Sequence, residues 1–198
     1  MRRRRPTALL IDLDGVVRHF DQAWTADVER RHGLPPGSLA RTAFARERLT
    51  PAIVGDVSHQ SWMAGVAAEL DAPAAVEEWQ SRRGEVDPEV RALVADLRTA
   101  GVPVGLATNA TDRLDDDLTA LDLDDAFDAV INASVVGVAK PHPRFFAVAC
   151  QALGVAPGDC LFVDDSARFV AGARAAGLLA YRYTGPADLR YIRAAFGR

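Results

Sequence analysis

Asp12-Leu13-Asp14-Gly15-Val16-Val17, entered directly from the apolar run Ala8-Leu9-Leu10-Ile11, decides how this chain is read. An uninterrupted apolar run bounded by a turn signal spells a buried strand. This one closes on two carboxylates spaced i, i+2 and then a glycine. Charge at the end of a buried strand opposes folding unless something pairs with it. In open α/β sheets, however, the carboxyl edge is where ligands bind. A functional site is therefore expected around Asp12 and Asp14.

Outward from this strand, apolar runs alternate with amphipathic stretches. Strands are expected at residues 7–12, 102–107, 129–131, 160–163 and 178–183, with helices at 88–100, 111–121, 143–153 and 167–176. Asp87 is placed to N-cap the first of these helices, Pro88 to open it and Gly101 to stop it. The alternation predicts an α/β fold, a parallel sheet with helices on both faces. Between residues 17 and 85 the rhythm breaks. There the pattern gives helices near 21–31, 38–48, 59–70 and 74–82 and no convincing strand, with turns at 33–37, Thr50-Pro51 and Asp71-Ala72-Pro73. All three tryptophans, Trp24, Trp62 and Trp79, fall in this block. An all-helical insert springing from the loop after the first strand would lie over the carboxyl edge of the sheet as a lid. Two units follow: a core from residues 1–16 and 86–198, and a helical cap from 17–85.

Composition narrows the partners. With 198 residues, 49% hydrophobic and 25% charged, the chain reads as a soluble globular protein. A formal charge of -4 excludes a general affinity for nucleic acid or an anionic membrane. The basic run Arg2-Arg3-Arg4-Arg5 reads as a solvated tail. No apolar stretch approaches the ~20 residues of a membrane span, and the apolar residues before Asp12 are too few for a secretory signal. Cys150 and Cys160 have no CxxC or histidine partner nearby, so they read as two reduced structural thiols. The expectation is a cytoplasmic monomer or homodimer.

Chemistry gathers at the strand ends. Asp12 and Asp14 follow the first strand, Thr108-Asn109 the second, Lys140 the loop after the third, and Asp164-Asp165-Ser166 the fourth. In a parallel sheet these ends face one way, so the residues converge. Several carboxylates in one cleft repel one another unless a cation sits among them, and oxygen-only ligands suit Mg²⁺. A lysine and a hydroxyl beside the metal complement a dianion such as phosphate. Thr108 and Asn109 stand ahead of an expected helix, whose free N–H groups favour an anion. One carboxylate is then left to act as nucleophile. A second, two residues on, can protonate a leaving alcohol and later deprotonate water.

These motifs, in this order, resemble those of the haloacid dehalogenase-like hydrolase superfamily, in its helical-cap phosphatase branch. Asp12-Leu13-Asp14-Gly15-Val16-Val17 is similar to its first motif, Thr108-Asn109 to its second, Lys140-Pro141 to its third and Val163-Asp164-Asp165-Ser166 to its fourth. The resemblance spans essentially the whole chain, with the helical insert at the position of the family's cap. It implies a Rossmann-like three-layer core whose five-stranded parallel sheet has the order 5-4-1-2-3. It implies Asp12 as the nucleophile that becomes aspartyl-phosphate and Asp14 as general acid/base. It further implies Mg²⁺ bound by Asp12, the backbone carbonyl of Asp14 and Asp165, with Asp164 close by through water. Thr108, Asn109 and Lys140 would then serve the phosphate, Lys140 also tethering the nucleophile. The acid at position 14 favours phosphoryl transfer over dehalogenation, because a halide leaves without a proton. The expected activity is a Mg²⁺-dependent phosphatase acting on a small phosphorylated metabolite, a sugar phosphate among the candidates; a phosphomutase is the alternative.

Other residues carry plainer readings. The resemblance departs at Lys140-Pro141-His142-Pro143, where relatives place aspartate at the third position; His142 reads either as a substrate contact or, by preference, as the cap of the helix beginning at Pro143. Phe169 stands where relatives place a small or amide residue. Arg18 and His19 read as cleft entrance or solvated hinge; Arg41, Arg46 and Arg48 read as the solvated basic face of one cap helix paired with Glu47 and Glu69, or as the source of an arginine that reads a second charged group on the substrate. Asp115-Asp116-Asp117 reads as a solvated acidic helix.

Overall fold

The computed structural model describes residues 5–198, so Arg2, Arg3 and Arg4 of the basic run lie outside the described residues. The chain opens with β1 (Ala8–Ile11), every residue of which is fully buried. It leaves the core through β2 (Arg18–His19) and returns through β3 (Glu85–Val86), an antiparallel ribbon pairing Arg18 with Val86 and His19 with Glu85. Four core strands follow, β4 (Val104–Thr108), β5 (Ala129–Asn132), β6 (Cys160–Asp164) and β7 (Leu179–Arg182). The sheet is parallel throughout, in the order β5-β4-β1-β6-β7. Counting core strands alone, this is the order 5-4-1-2-3 that the resemblance implied. β1 lies in the middle, where the chain order reverses and a crevice opens at the carboxyl ends.

Helices α1 (Gln22–Arg31), α2 (Ser38–Ala43), α3 (Arg46–Ile53), α4 (His59–Leu70) and α5 (Pro73–Ser81) lie between β2 and β3. The core helices are α6 (Pro88–Thr99), α7 (Leu114–Ala120), the short α8 (Ala133–Val136), α9 (Pro143–Ala152), α10 (Ala167–Ala175) and α11 (Leu189–Ala195). Alternation along each strand sends successive side chains to opposite faces. Leu9, Ile11, Leu106 and Val163 pack with Leu93 and Leu97 of α6 and Ile192 of α11. Ala8, Leu10 and Phe162 pack with Phe145, Phe146 and Ala149 of α9 and Ala173 of α10. On that second face Phe146 meets Phe145 and Phe162 edge-on at 5.8 and 5.3 Å between ring centres. Each face is thus closed by its own apolar layer, and the polar residues at the strand ends are left to the crevice.

The helical insert has an apolar cluster of its own, built on Val28, Leu39, Met63, Val66 and Val76, with Trp24, Trp62 and Trp79 half-buried against it. Local chemistry sets several helix starts. Asp87 accepts from the N–H groups of Glu89 and Val90 ahead of Pro88, and Ser58 accepts from Ser61. Glu29, buried on α1, accepts from Gly37 and Leu39 and so satisfies the opening of α2. The ribbon of β2 and β3 corrects the expectation of no strand between residues 17 and 85; two residues per strand leave no alternation to detect. The expected helix 38–48 is two, broken at Phe44-Ala45, so Arg41 lies on α2 and Arg46 and Arg48 on α3. Thr50-Pro51 is not a turn: α3 runs through Pro51 to Ile53, losing only the one bond a proline cannot donate. Among the described residues, no helix is long and apolar enough to cross a membrane. Cys150 and Cys160 are buried and free.

Candidate active site

β1 and β6 are hydrogen-bonded neighbours, so their ends bring carboxylates from the two extremes of the chain together. The Asp12 N–H donates to the Val163 carbonyl at 3.0 Å, extending the ladder by one residue. The Asp12 side chain accepts from the Leu13 N–H at 2.8 Å. Lys140 Nζ lies 2.7 Å from Asp12 Oδ1 and donates to Asp164 Oδ2 at 2.8 Å. The other Asp164 oxygen accepts from the Ser166 N–H, also at 2.8 Å. Asp12, Asp164 and Lys140 are all buried. The rings of Phe169 and Phe162 flank the ammonium, their centres 5.1 and 5.4 Å away. Phe169 therefore covers the lysine, where a solvated side chain would admit water.

Lys140 is held by its backbone. The Asn109 amide donates to the Lys140 carbonyl at 3.1 Å, and its oxygen accepts from the Lys140 N–H at 2.8 Å. Both ends of the Asn109 side-chain amide are thus spent on the lysine loop, which leaves its backbone N–H as the group that could face an anion. The helix expected just beyond Asn109 also starts later, at Leu114, because Thr111 to Arg113 form a turn first. On the other side of the loop, Gly172 of α10 lies against Pro141 so closely that a β-carbon would overlap the proline ring. Thr108 ends β4, buried, beside these groups in the sheet.

Burial drives the Asp12 carboxyl upward; Lys140 opposes this, and Asp164 and Asp14 add to it. Burial would pull Lys140 down, yet Asp12 and Asp164 hold it above the ordinary lysine value. Burial and then Asp164 push the Asp165 carboxyl up as well. Asp12, Asp164 and Asp165 each offer an oxygen within 4.8 Å of the others; the Lys140 ammonium pairs with the first two, and the charges of Lys140 and Arg182 act on the third. The donors of the set are all oxygen, the kind a hard divalent ion such as Mg²⁺ prefers. Gly15 permits this approach. It has φ +89, and a β-carbon there would overlap the Asp165 carboxylate.

Asp14 is not among the three clustered carboxylates. Its half-exposed side chain takes both bonds of a guanidinium fork, from Arg18 Nε at 2.6 Å and Arg18 Nη2 at 3.1 Å. Arg18 is buried and also donates to Asp117 at 2.9 Å. Asp117 in turn receives Arg113 Nε at 2.9 Å and lies 3.1 Å from Arg83 Nη1. The reading of Asp115-Asp116-Asp117 as wholly solvated is therefore corrected for Asp117, which joins three arginines from β2, the residues before β3, and the start of α7. Arg113 also meets His59 Nε2 at 3.0 Å and donates to the Gln80 carbonyl at 2.9 Å. Burial pushes the His59 imidazole down. Sequence reasoning missed this network, since nothing local distinguishes Asp117 from its acidic neighbours. Of the candidates first considered, His142 caps α9, accepting from the Arg144 N–H at 3.2 Å. Arg48 pairs with Glu69.

A parallel sheet whose central strand and its neighbour end in carboxylates around one buried lysine defines a Rossmann-like α/β hydrolase core. The family model for haloacid dehalogenase-like hydrolases matches residues 6–177, and the chain belongs to that family. It is 31% identical to the phosphatase MT3486 of Mycobacterium tuberculosis (strain CDC 1551 / Oshkosh) over 188 residues, covering 88% of this chain and 86% of the relative. Identity to hexitol phosphatase A of Escherichia coli (strain K12) is 28%, over 93% of this chain and 86% of that one. Among solved structures, the HAD family enzyme bt-2542 of Bacteroides thetaiotaomicron superposes with a TM-score of 0.80 at 18% identity, over 96% of this chain and 99% of that one.

Proposed function

We propose that this hydrolase is a Mg²⁺-dependent phosphatase that cleaves a small phosphorylated metabolite through an aspartyl-phosphate on Asp12. Residues 1–16 and 86–198 form its catalytic core and residues 17–85 its cap. The observation that carries this reading is the buried Lys140 ammonium held between Asp12 and Asp164, with Asp165 completing a three-carboxylate cluster. The phosphatase names of the two relatives support it. Mg²⁺ held by Asp12, Asp165, the Asp14 carbonyl and Asp164 would draw negative charge from the phosphoryl group.

The remaining steps belong to this chain's own side chains. Lys140 and the Thr108 hydroxyl hold phosphoryl oxygens, and Lys140 fixes the direction of the Asp12 carboxylate. An Asp12 oxygen bonds to phosphorus while the ester oxygen leaves, taking a proton from the Asp14 carboxyl. Water then gives a proton back to Asp14 and attacks phosphorus. The Asp12–phosphorus bond breaks, and inorganic phosphate is released. Because Arg18 engages both Asp14 oxygens, Asp14 must give up one of those bonds before it serves the ester oxygen.

The test is phosphate release from a broad panel of phosphorylated metabolites. Release is expected with Mg²⁺, and none with a chelator or from Asp12→Asn. Turnover by Asp12→Asn at the wild-type rate would overturn the reading.

A further inference from the structure

A cavity of about 710 Å³ lies between the helical insert and the core, reaching Asp14, Arg18 and Asn109 at one end. Its size is in the roughly 300–1,000 Å³ range of cavities that enclose drug-sized ligands. Much of its lining is aromatic: Phe20, Trp24, Phe44, Trp62 and Trp79. Phe44 is 54% exposed although it lies 6.0 Å from the Trp79 ring and 6.4 Å from that of Trp62. Phe20, 50% exposed, is stacked on the guanidinium of Arg18, 4.9 Å from its centre. The aromatic surface therefore begins one side chain away from Asp14.

The donors of this wall are already spent. The Trp62 indole N–H donates to the Ala43 carbonyl at 3.0 Å, and that of Trp79 to the Thr25 hydroxyl at 3.0 Å. The polar corner is likewise closed on itself, His59, Gln80 and Arg113 being bonded to one another. His19, Asp21, Gln22, Arg82 and Glu85 line other parts of the cavity; on the aromatic face itself a polyol would lose its water and find few partners, whereas a flat ring needs none and gains from facing other rings. The arginines of α2 and α3, Arg41, Arg46 and Arg48, do not line the cavity.

We infer that the insert selects phosphate monoesters whose alcohol carries a planar, largely apolar ring system, with Phe44, Trp62 and Trp79 as the receiving face. This rests on the phosphatase reading above and narrows it. The experiment compares three primary alkyl esters of similar leaving-group strength: 2-(2-naphthyl)ethyl phosphate, n-octyl phosphate and sorbitol 6-phosphate, each with Mg²⁺. The expected kcat/KM for the naphthyl ester exceeds that of both others by about tenfold or more, the worth of one well-placed aromatic contact. Phe44→Ala narrows that ratio, and Phe44→Trp restores it. A sorbitol ester turned over as fast or faster, with Asp12→Asn inactive on it, would overturn this inference and leave the phosphatase reading standing. An octyl ester equal to the naphthyl ester, or a ratio that Phe44→Ala leaves intact, would overturn it too. No phosphate from any of the three esters would overturn it too, and release from the broad metabolite panel then decides separately whether the phosphatase reading stands.

Discussion

Replacing Lys140 by methionine takes one positive charge from a site and leaves its shape nearly unchanged. The lysine side chain is 1% exposed, and its two partners, Asp12 at 2.7 Å and Asp164 at 2.8 Å, are 8% and 0% exposed. Water therefore cannot move in to screen what is left. Breaking a buried pair by removing one partner costs about 3–5 kcal/mol, because the remaining charge stays buried and uncompensated. Burial has already pushed the Asp12 carboxyl up to about 7, so without the lysine it can escape by taking a proton near neutral pH; the stranded charge is chiefly that of Asp164, which is 0% exposed. Against a typical total of roughly 5–15 kcal/mol the variant should still fold, with a melting temperature lower by about 6–20 °C.

The assay is urea unfolding with a chelator present, followed by the same series in Mg²⁺. Lys140→Met is expected to lose stability with no change in the urea slope, and to recover more on adding Mg²⁺ than the wild type gains. Adding Asp164→Asn to Lys140→Met removes one of the stranded charges, and the pair should couple by about 1–3 kcal/mol. A loss below about 1 kcal/mol, the scale of an exposed ion pair, or the absence of that coupling, would refute the argument that Asp12 and Asp164 share one desolvated ammonium.

Two further outcomes follow from neighbouring geometry. Gly172→Ala pits helix propensity, a gain of roughly 0.5–1 kcal/mol, against overlap with Pro141. Overpacking costs about 1–3 kcal/mol and should win, lowering the melting temperature and slowing phosphate release as the Lys140 loop shifts, so a more stable, fully active Gly172→Ala would contradict it. Asp188 accepts from the Thr184 N–H and hydroxyl at 2.7 Å and from Tyr181 at 2.8 Å, which hold its carboxyl below the ordinary 3.8. A lowered carboxyl stabilises above its unfolded value and loses that contribution as pH falls through its folded one. Asp188→Asn should thus be less stable than wild type at neutral pH and converge with it below about pH 4 in thermal melts; a constant gap across pH would count against it.

Much of the fold was legible because each core element announces itself locally. Ala8-Leu9-Leu10-Ile11 and Cys160-Leu161-Phe162-Val163 are continuous apolar runs because both faces of a parallel sheet are covered, and the neighbours they pair with carry the same signature. Asp87-Pro88 and Ser58 mark helix starts through their own side chains. What was not legible lacks a period. β2 and β3 are held by pairing across sixty-odd intervening residues, and two residues show no alternation. The break at Phe44-Ala45 carries neither glycine nor proline. It exists because Phe44 leaves the helical track to meet Trp62 and Trp79, a tertiary cause that no local window contains.

The candidate site divides in the same way. Residues whose position is set by a strand end, Asp12, Thr108, Asp164 and Asp165, could be placed from sequence because backbone direction carries them there. Residues whose position is set by a side chain's reach could not. Asn109 shares its strand end with Thr108, yet its side-chain amide turns to the Lys140 backbone, and only the two bonds it makes there reveal it as a loop clamp. Asp117 is the sharper case. By composition it belongs to the solvated run Asp115-Asp116-Asp117, and α7 exposes its two neighbours. One turn of helix points the third carboxylate inward, where it is 14% exposed among Arg18, Arg83 and Arg113. Three guanidiniums from separate segments need a shared anion, and the chain that supplies it must fold before the need exists. Arg18 then links the anion to Asp14, so the geometry of the proposed acid depends on a carboxylate that sequence pattern alone files as surface charge.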